Sequence, residues 1–136
     1  MESKLKHLEM IQAIINRMAA NSFLLKGWSI TLIAALFALA AKDTEDFFIY
    51  IAYFPCLMFW YLDGYFLHQE RMYRKLFSTV KDIDPNHINF DMNAKKYKGE
   101  VDSLLATCFS STLRIFHGTI LFVIILVMFL LRTIGS

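Results

Sequence analysis

The fold is decided by residues 26–64, which read KGWSITLIAALFALAAKDTEDFFIYIAYFPCLMFWYLDG. Two apolar stretches, 27–41 and 47–62, flank a short polar turn at residues 42–46. Within a bilayer every backbone polar group must be satisfied inside the segment, which a helix achieves. The pattern therefore predicts two antiparallel membrane-spanning helices joined by a tight turn.

Two ionisable residues bracket this hairpin. Lys26 and Asp63 lie at nearly the same number of residues from the turn, so antiparallel helices of equal rise bring them to the same depth. Each charge alone is costly in hydrocarbon. We expect an ion pair that fixes the register of the hairpin and its depth in the membrane, rather than one that takes part in chemistry.

A third apolar stretch lies near the end of the chain, at residues 115–131. The 136-residue chain is 57% hydrophobic, well above the share usual in soluble proteins. We predict an all-α integral membrane protein of one domain, with spans at about 24–41, 47–66 and 113–131. Beyond Thr119 the third span has no small or polar residues, so we expect it to face lipid.

Basic residues concentrate before the first span and between the second and third. Only Lys42 and Arg132 lie on the other side. By the positive-inside rule the amino terminus and the segment 67–112 are cytoplasmic, and the carboxyl terminus is external. Membrane topology accounts for these cations, so we expect no nucleic-acid partner.

The polar segments are predicted to form a cytoplasmic helical bundle. Leu5, Leu8, Ile11 and Ile15 recur at helical spacing, which predicts an amphipathic helix over residues 3–23. This helix either lies on the inner membrane surface or projects into the cytoplasm. Because no break separates it from the first span, we expect projection and one helix over about 3–41. Further helices are predicted at 67–81 and 94–112, with a loop at 82–93.

Three sets of candidate functional residues follow from spacing. A charged layer at the cytoplasmic membrane boundary is predicted to comprise Lys26, Asp63, Arg114 and His117. A face of small residues on the first span, suited to packing against the second span or a neighbouring subunit or to lining a pore, comprises Gly27, Thr31, Ala34, Ala38 and Ala41. Candidate contacts for a cytosolic partner are His68, Glu70, Arg71, Asn86 and His87.

Motifs for catalysis or metal binding are missing from the sequence. It has no phosphate-binding glycine loop, zinc signature or serine nucleophile motif, and the loop at 84–91 lacks the glycine and terminal glutamate of an EF-hand. Cys56 and Cys108 are expected to be free thiols at different depths. We therefore expect no metal, no cofactor and no catalytic site. A lipid-modifying enzyme that uses Asp63, His68 or His117 as acid or base is the less favoured alternative.

Several runs carry a resemblance to known proteins. They are NRMAANSFLLKGW at 16–28, AYFP at 52–55, LDGYFL at 62–67 and QER at 69–71. Together they resemble a family of uncharacterised small bacterial multi-span membrane proteins over roughly the first 80 residues. The resemblance implies the bacterial inner (plasma) membrane. The architecture is also loosely similar to small membrane effectors of antiviral defence systems, which damage the inner membrane when triggered.

These observations favour a non-enzymatic membrane effector. We expect a homo-oligomer that perturbs the lipid bilayer or forms a pore under the control of a cytosolic protein partner, in phage defence. The alternative is a membrane anchor or accessory subunit of a larger complex.

Overall fold

The computed structural model of the protein describes residues 2–43 and 47–135, so most of the predicted turn lies outside the described residues. Within these ranges every regular element is helical. Three helices are long and apolar enough to cross a membrane. The all-α prediction and the three apolar helices are therefore confirmed.

Two long helices dominate the chain. Helix α1 spans Glu2–Asp43 and helix α2 spans Phe47–Lys81, with Pro55 inside it. At the helical rise, the 42 residues of α1 extend about 63 Å. A short helix α3, Leu104–Cys108, precedes helix α4, Ser111–Gly135. The prediction that the first two spans continue without a break into polar helices is confirmed.

The helices divide into an apolar half and a polar half. We define the apolar half as residues 24–43, 47–66 and 111–135, and the polar half as residues 2–23 and 67–110. Helix α2 is central, because α1, α3 and α4 all contact it. Helix α4 runs antiparallel to α2: the Tyr53 hydroxyl reaches Met128 Sδ at 3.4 Å, and Arg132 donates to the Tyr50 hydroxyl at 3.1 Å.

The core of the apolar half lies along α2. Ile33 and Ala40 of α1, Ile49, Ala52 and Cys56 of α2, and Ile124 of α4 are buried together. Half of the other apolar side chains of α4 are exposed; Phe122, for example, is 64% exposed. This exposure agrees with the prediction that the third span is the one that faces lipid.

The polar half has a separate core. Ile11 and Ile15 of α1 pack against Met72, Leu76 and Val80 of α2, and Ala94 and Tyr97 complete the cluster. The amino-terminal part of α1 therefore packs in a helical bundle. Its projection into the cytoplasm stays a prediction.

The loop after α2 is held against α1 by a buried histidine. His7 Nε2 lies 2.8 Å from the Asp91 carbonyl oxygen, and its ring contacts the Phe90 ring. Within the loop, Asp84, Asn89, Asp91 and Asn93 each accept a hydrogen bond from the backbone N–H two residues later, which is the Asx-turn pattern. A hydrogen bond from Lys96 lowers the pKa of the Asp91 carboxyl. These local bonds order a loop that has little apolar burial.

The helix predicted over 94–112 is wrong as a continuous element. The structure has a 3₁₀ helix at Lys95–Glu100, an extended backbone at Val101, the short α3, and a turn before α4. Gly99 is a poor helix former, and the Ser103 hydroxyl accepts from the Ala106 N–H, which starts a new helix at residue 104. Tyr97 and Cys108 are both buried, but they belong to separate elements.

Helix α3 approaches α2 closely at Gly64. A methyl group on Gly64 would overlap the Cys108 Sγ and would lie 3.3 Å from the Cys108 Cα. The backbone of helix α2 is regular at this position, so its conformation does not require glycine. Glycine is needed because only it leaves room for Cys108. The close approach brings α3 and the start of α4 against the centre of α2.

We predict that Gly64→Ala lowers the free energy of unfolding by about 1 to 3 kcal/mol, the usual cost of overpacking. Thermal unfolding of the detergent-solubilised protein measures this. Gly118→Ala is the control, since a methyl group there would meet nothing within 4 Å among the described residues. In a Cys108→Ala background the cost of Gly64→Ala should shrink. Equal effects of the two glycine substitutions would contradict the contact.

Candidate functional site

The most unusual feature of the molecule is a buried polar cluster that joins α1, α2 and α4. Its members are Ser22, Lys26, Asp63 and His117, which we call the charged cluster. Asp63 and His117 are both 0% exposed. Lys26 Nζ lies 2.6 Å from Asp63 Oδ2, and His117 Nε2 lies 2.8 Å from the same oxygen. The ion pair predicted from helix register is present in the structure.

Asp63 is the common acceptor of the cluster. The Ser22 hydroxyl donates to Asp63 Oδ1, and Lys26 donates to both Ser22 Oγ, at 2.8 Å, and Asp63 Oδ2. An ionised carboxylate accepts only, so the proton in the contact with His117 lies on Nε2. His117 Nδ1 is buried with no hydrogen-bond partner in the described chain. The tautomer with its proton on Nε2 agrees with the surroundings of both ring nitrogens. Nε2 then donates to Asp63, and Nδ1 carries no proton that needs an acceptor. The cluster then balances one negative charge against one positive charge.

Aromatic rings enclose the cluster. Trp60 stacks on His117 with the ring centroids 5.9 Å apart and the planes inclined by 15°. The Trp60 indole N–H donates to the Cys108 carbonyl at 2.6 Å, which ties α2 to the end of α3. Lys26 Nζ lies 5.7 Å from the centre of the Phe116 ring, within the range of a cation–π contact. These rings restrict water and strengthen the electrostatic contacts between the buried groups.

The cluster lies at one end of the apolar half. Between Asp63 and the start of α2 at Phe47 there are 16 residue steps, or about 24 Å of helix. From Lys26 to the end of α1 at Asp43 there are 17 steps, or about 26 Å. These lengths approach the roughly 30 Å of a bilayer's hydrocarbon core. The cluster therefore marks the level at which the apolar half passes into the polar half.

The charged layer predicted from sequence is brought together only in part. Lys26, Asp63 and His117 meet, but Arg114 is exposed and makes no hydrogen bond or ion pair to the cluster. Arg114 lies one helical turn before His117 on α4, with its side chain on the exposed side of the helix. Ser22 supplies the third donor to Asp63 instead. It lies one turn before Lys26 on α1 and therefore shares its face.

The predicted face of small residues does not pack against α2. Its five members, Gly27, Thr31, Ala34, Ala38 and Ala41, are all exposed in the single chain. Helix α1 instead turns Leu25, Ser29 and Ile33 toward the interior. The prediction that this face packs against the second span is therefore wrong. Packing against a neighbouring subunit stays a prediction.

The predicted partner contacts are scattered over the polar half. His68 is buried, and its Nε2 has no hydrogen-bond partner in the part of the chain that the structure describes. Glu70 and Arg71 are half-buried on α2. Asn86 and His87 are exposed in a 3₁₀ turn at Pro85–His87. These five residues do not form one surface: His68 is enclosed, whereas Asn86 and His87 are presented to solvent.

Sequence reasoning missed Ser22 and Trp60, which build the site, and His7, which holds the loop after α2 against α1. Ser22 is a common type of residue just before an apolar run, and only its spacing of four from Lys26 could have indicated it. Trp60 lies within the apolar stretch 47–62, and nothing in its spacing indicates contact with His117. His7 was not singled out, because its face of α1 is buried only by the loop around Asp91, which is distant in sequence. The surroundings of Trp60 and His7 depend on contacts between residues far apart in sequence.

No group of three or more metal-ligating side chains occurs within residues 2–43 and 47–135. Among known proteins, no family, no curated protein and no solved structure matches the chain. The resemblance to small bacterial membrane proteins and the bacterial localisation therefore stay predictions, and the function must be argued from the site.

We predict that Asp63→Ala is the most damaging substitution in the charged cluster, lowering the free energy of unfolding by about 3 to 5 kcal/mol. It removes the acceptor of Ser22, Lys26 and His117 at once. Lys26→Ala should cost less, because Asp63 then keeps two donors. Thermal unfolding in one detergent compares them, with exposed Arg114→Ala as the control. If Lys26→Ala is as damaging as Asp63→Ala, the shared-acceptor arrangement is wrong.

Proposed function

We propose that the protein is a membrane effector that self-associates through the small-residue face of α1 and permeabilises the bacterial inner membrane under the control of a cytosolic partner, in phage defence. The amino terminus and the polar half then lie in the cytoplasm and the carboxyl terminus outside. The single observation that carries the proposal is that all five members of this face are exposed.

Gly27 is the most informative member of the face. A methyl group at Gly27 would meet no atom within 4 Å in the described chain, so internal packing does not require glycine there. Nor does the backbone, since α1 is regular through this position. In lipid, small residues on an exposed helix face allow another helix to approach closely. A second copy of this chain is the occupant that the proposal assigns to the face.

A pore, if formed, lies between subunits rather than within one. The interior of the apolar half is lined by Ile33, Ile49, Ala52, Cys56 and Ile124, which leave no polar path along α2. The charged cluster closes the inner end of the same interior. A pore between subunits that meet through the small-residue face is lined by small side chains and by the weakly polar Thr31. This lining is narrower and less apolar than the rest of the span.

Continuity of the helices supports control from the polar half. Helices α1 and α2 each run unbroken from the bundle of the polar half into the apolar half, past the charged cluster. A partner that shifts this bundle therefore acts on the same rigid elements that carry the small-residue face. Asn86 and His87, exposed on their turn, are the residues best placed to receive such a partner.

The main alternative is a membrane anchor or accessory subunit, which the same exposed turn also suits. An anchor needs no permeability, so the leakage assay below separates the two. Burial of both His68 and His117 argues against the lipid-modifying enzyme, because a general acid or base must reach its substrate.

We predict that liposomes carrying the purified full-length protein leak ions, and that Gly27→Leu reduces the leakage by about tenfold, the effect of losing roughly 1.4 kcal/mol of helix association. Dye release gives the leakage rate, and native mass spectrometry of the same sample gives the oligomer size. The Gly27→Leu protein should be folded and mostly monomeric.

The matched control is Gly118→Leu, which adds the same side chain to α4 at another position where a methyl group has no neighbour within 4 Å among the described residues. It should leak and assemble like the unaltered protein. Tight liposomes with well-assembled protein would favour the anchor. Equal leakage from Gly27→Leu and the unaltered protein would reject the small-residue face as the contact.

A further inference from the structure

An open cleft of about 650 Å³ lies in the polar half between α2 and the segment 99–102. One wall is a single face of α2, because Arg71, Arg74, Lys75 and Ser78 are spaced by three and four residues. The opposite wall is formed by residues 99–102, where the chain leaves its 3₁₀ helix. Three cations and a hydroxyl donor therefore point into one space of a size typical for small ligands.

Two carboxylates, Glu100 and Asp102, also line this cleft, and Glu70 lies beside it, but none of them holds a cation in a short ion pair. Arg71 Nη1 lies 3.4 Å from Asp102 Oδ2, and Arg74 Nη2 lies 3.5 Å from Glu70 Oε1. Both distances exceed the 2.7–2.9 Å of a strong charge-assisted hydrogen bond. The Asp102 side chain is 72% exposed, so it can leave Arg71 at little cost. Lys75 makes no ion pair within the described residues. The guanidinium groups are thus available to a better acceptor.

Gly99 keeps the opposite wall open. Its φ angle is not positive, and a methyl group on it would meet no described atom within 4 Å. Neither the backbone nor internal packing requires glycine here. A larger side chain at this position would instead occupy space beside the cations.

We propose that this cleft binds a phosphate-bearing anion. Two arginines present planar donors suited to phosphate oxygens, Lys75 adds a point charge, and Ser78 adds a hydroxyl donor. Arg71 follows Asp63 by eight residues, or about 12 Å of helix, so the cleft lies close to the end of the apolar half. The phosphate belongs either to a soluble molecule such as a nucleotide or to an anionic lipid headgroup. The site does not depend on the proposed membrane activity.

The test titrates the full-length protein with inorganic pyrophosphate in nanodiscs of phosphatidylcholine alone, using isothermal titration calorimetry. Arg74→Ala should weaken binding about tenfold, the usual loss of a charged hydrogen bond. Arg17→Ala is the matched control: Arg17 is an exposed arginine of α1, nine residues from Lys26, and so lies at a similar distance from the charged cluster on another helix. It should change binding less than about twofold.

Two further variants probe the opposite wall. Asp102→Asn removes a competing carboxylate and should tighten binding by about threefold. Gly99→Leu should weaken binding without lowering the melting temperature, because the added side chain fills the cleft and not the core.

A second arm distinguishes the source of the phosphate. In nanodiscs containing phosphatidylglycerol, a lipid occupant would compete with pyrophosphate and be retained in native mass spectra by the unaltered protein but not by Arg74→Ala. Unchanged pyrophosphate affinity there would assign the cleft to a soluble ligand. The proposal is overturned if neither probe binds, or if Arg74→Ala and Arg17→Ala have equal effects.

Discussion

One carboxylate organises the whole structure. Asp63 accepts hydrogen bonds from Ser22 and Lys26 on α1 and from His117 on α4, and all three donors meet it where solvent is excluded. An ionised group in such a place is stable only when its acceptor positions are filled. Each helix is therefore fixed not only by apolar packing, which tolerates sliding, but by a contact that a shift of one turn would break. The buried cluster thus specifies the register of three helices at once.

The cluster also separates two regions that meet different demands. On one side of it, α4 has a mostly apolar exposed surface, and the exposed surface of α1 carries the small-residue face together with large apolar side chains such as Trp28 and Ile30. On the other side, α1 and α2 form a bundle with its own core at Ile11, Ile15 and Leu76. Because α1 and α2 each run unbroken through both regions, a displacement in one region is carried into the other. The proposed effector role uses this continuity, and the proposed phosphate cleft lies on the part of α2 just beyond the cluster.

The long elements could be predicted because their signals are local. Apolar runs of sufficient length give α1, α2 and α4, and equal counting from the turn places Lys26 opposite Asp63. What failed depended on side-chain direction and on distant contacts. Arg114 lies within one turn of His117 on α4, yet its side chain is exposed, and only His117 reaches Asp63. The spacing of Tyr97 and Cys108 suits one helix, yet each packs on a different part of α2, and the Ser103 cap between them breaks the element. The face of small residues was recognised, but only the packed structure shows that α2 does not cover it.

Asp63, buried at the end of the apolar half, holds α4 to the hairpin through His117. Solid-state NMR of the protein in lipid bilayers, with ¹⁵N-labelled histidine and ¹³C-labelled aspartate, measures this contact directly through the dipolar coupling between imidazole nitrogen and carboxyl carbon. A His117→Gln sample assigns the signal. We expect a protonated Nε2 in contact with an aspartate carboxylate, an unprotonated Nδ1 on the same ring, and loss of both signals in His117→Gln. The absence of any coupling from His117 to a carboxyl carbon in lipid would contradict it, because α4 would then dock without the charged cluster.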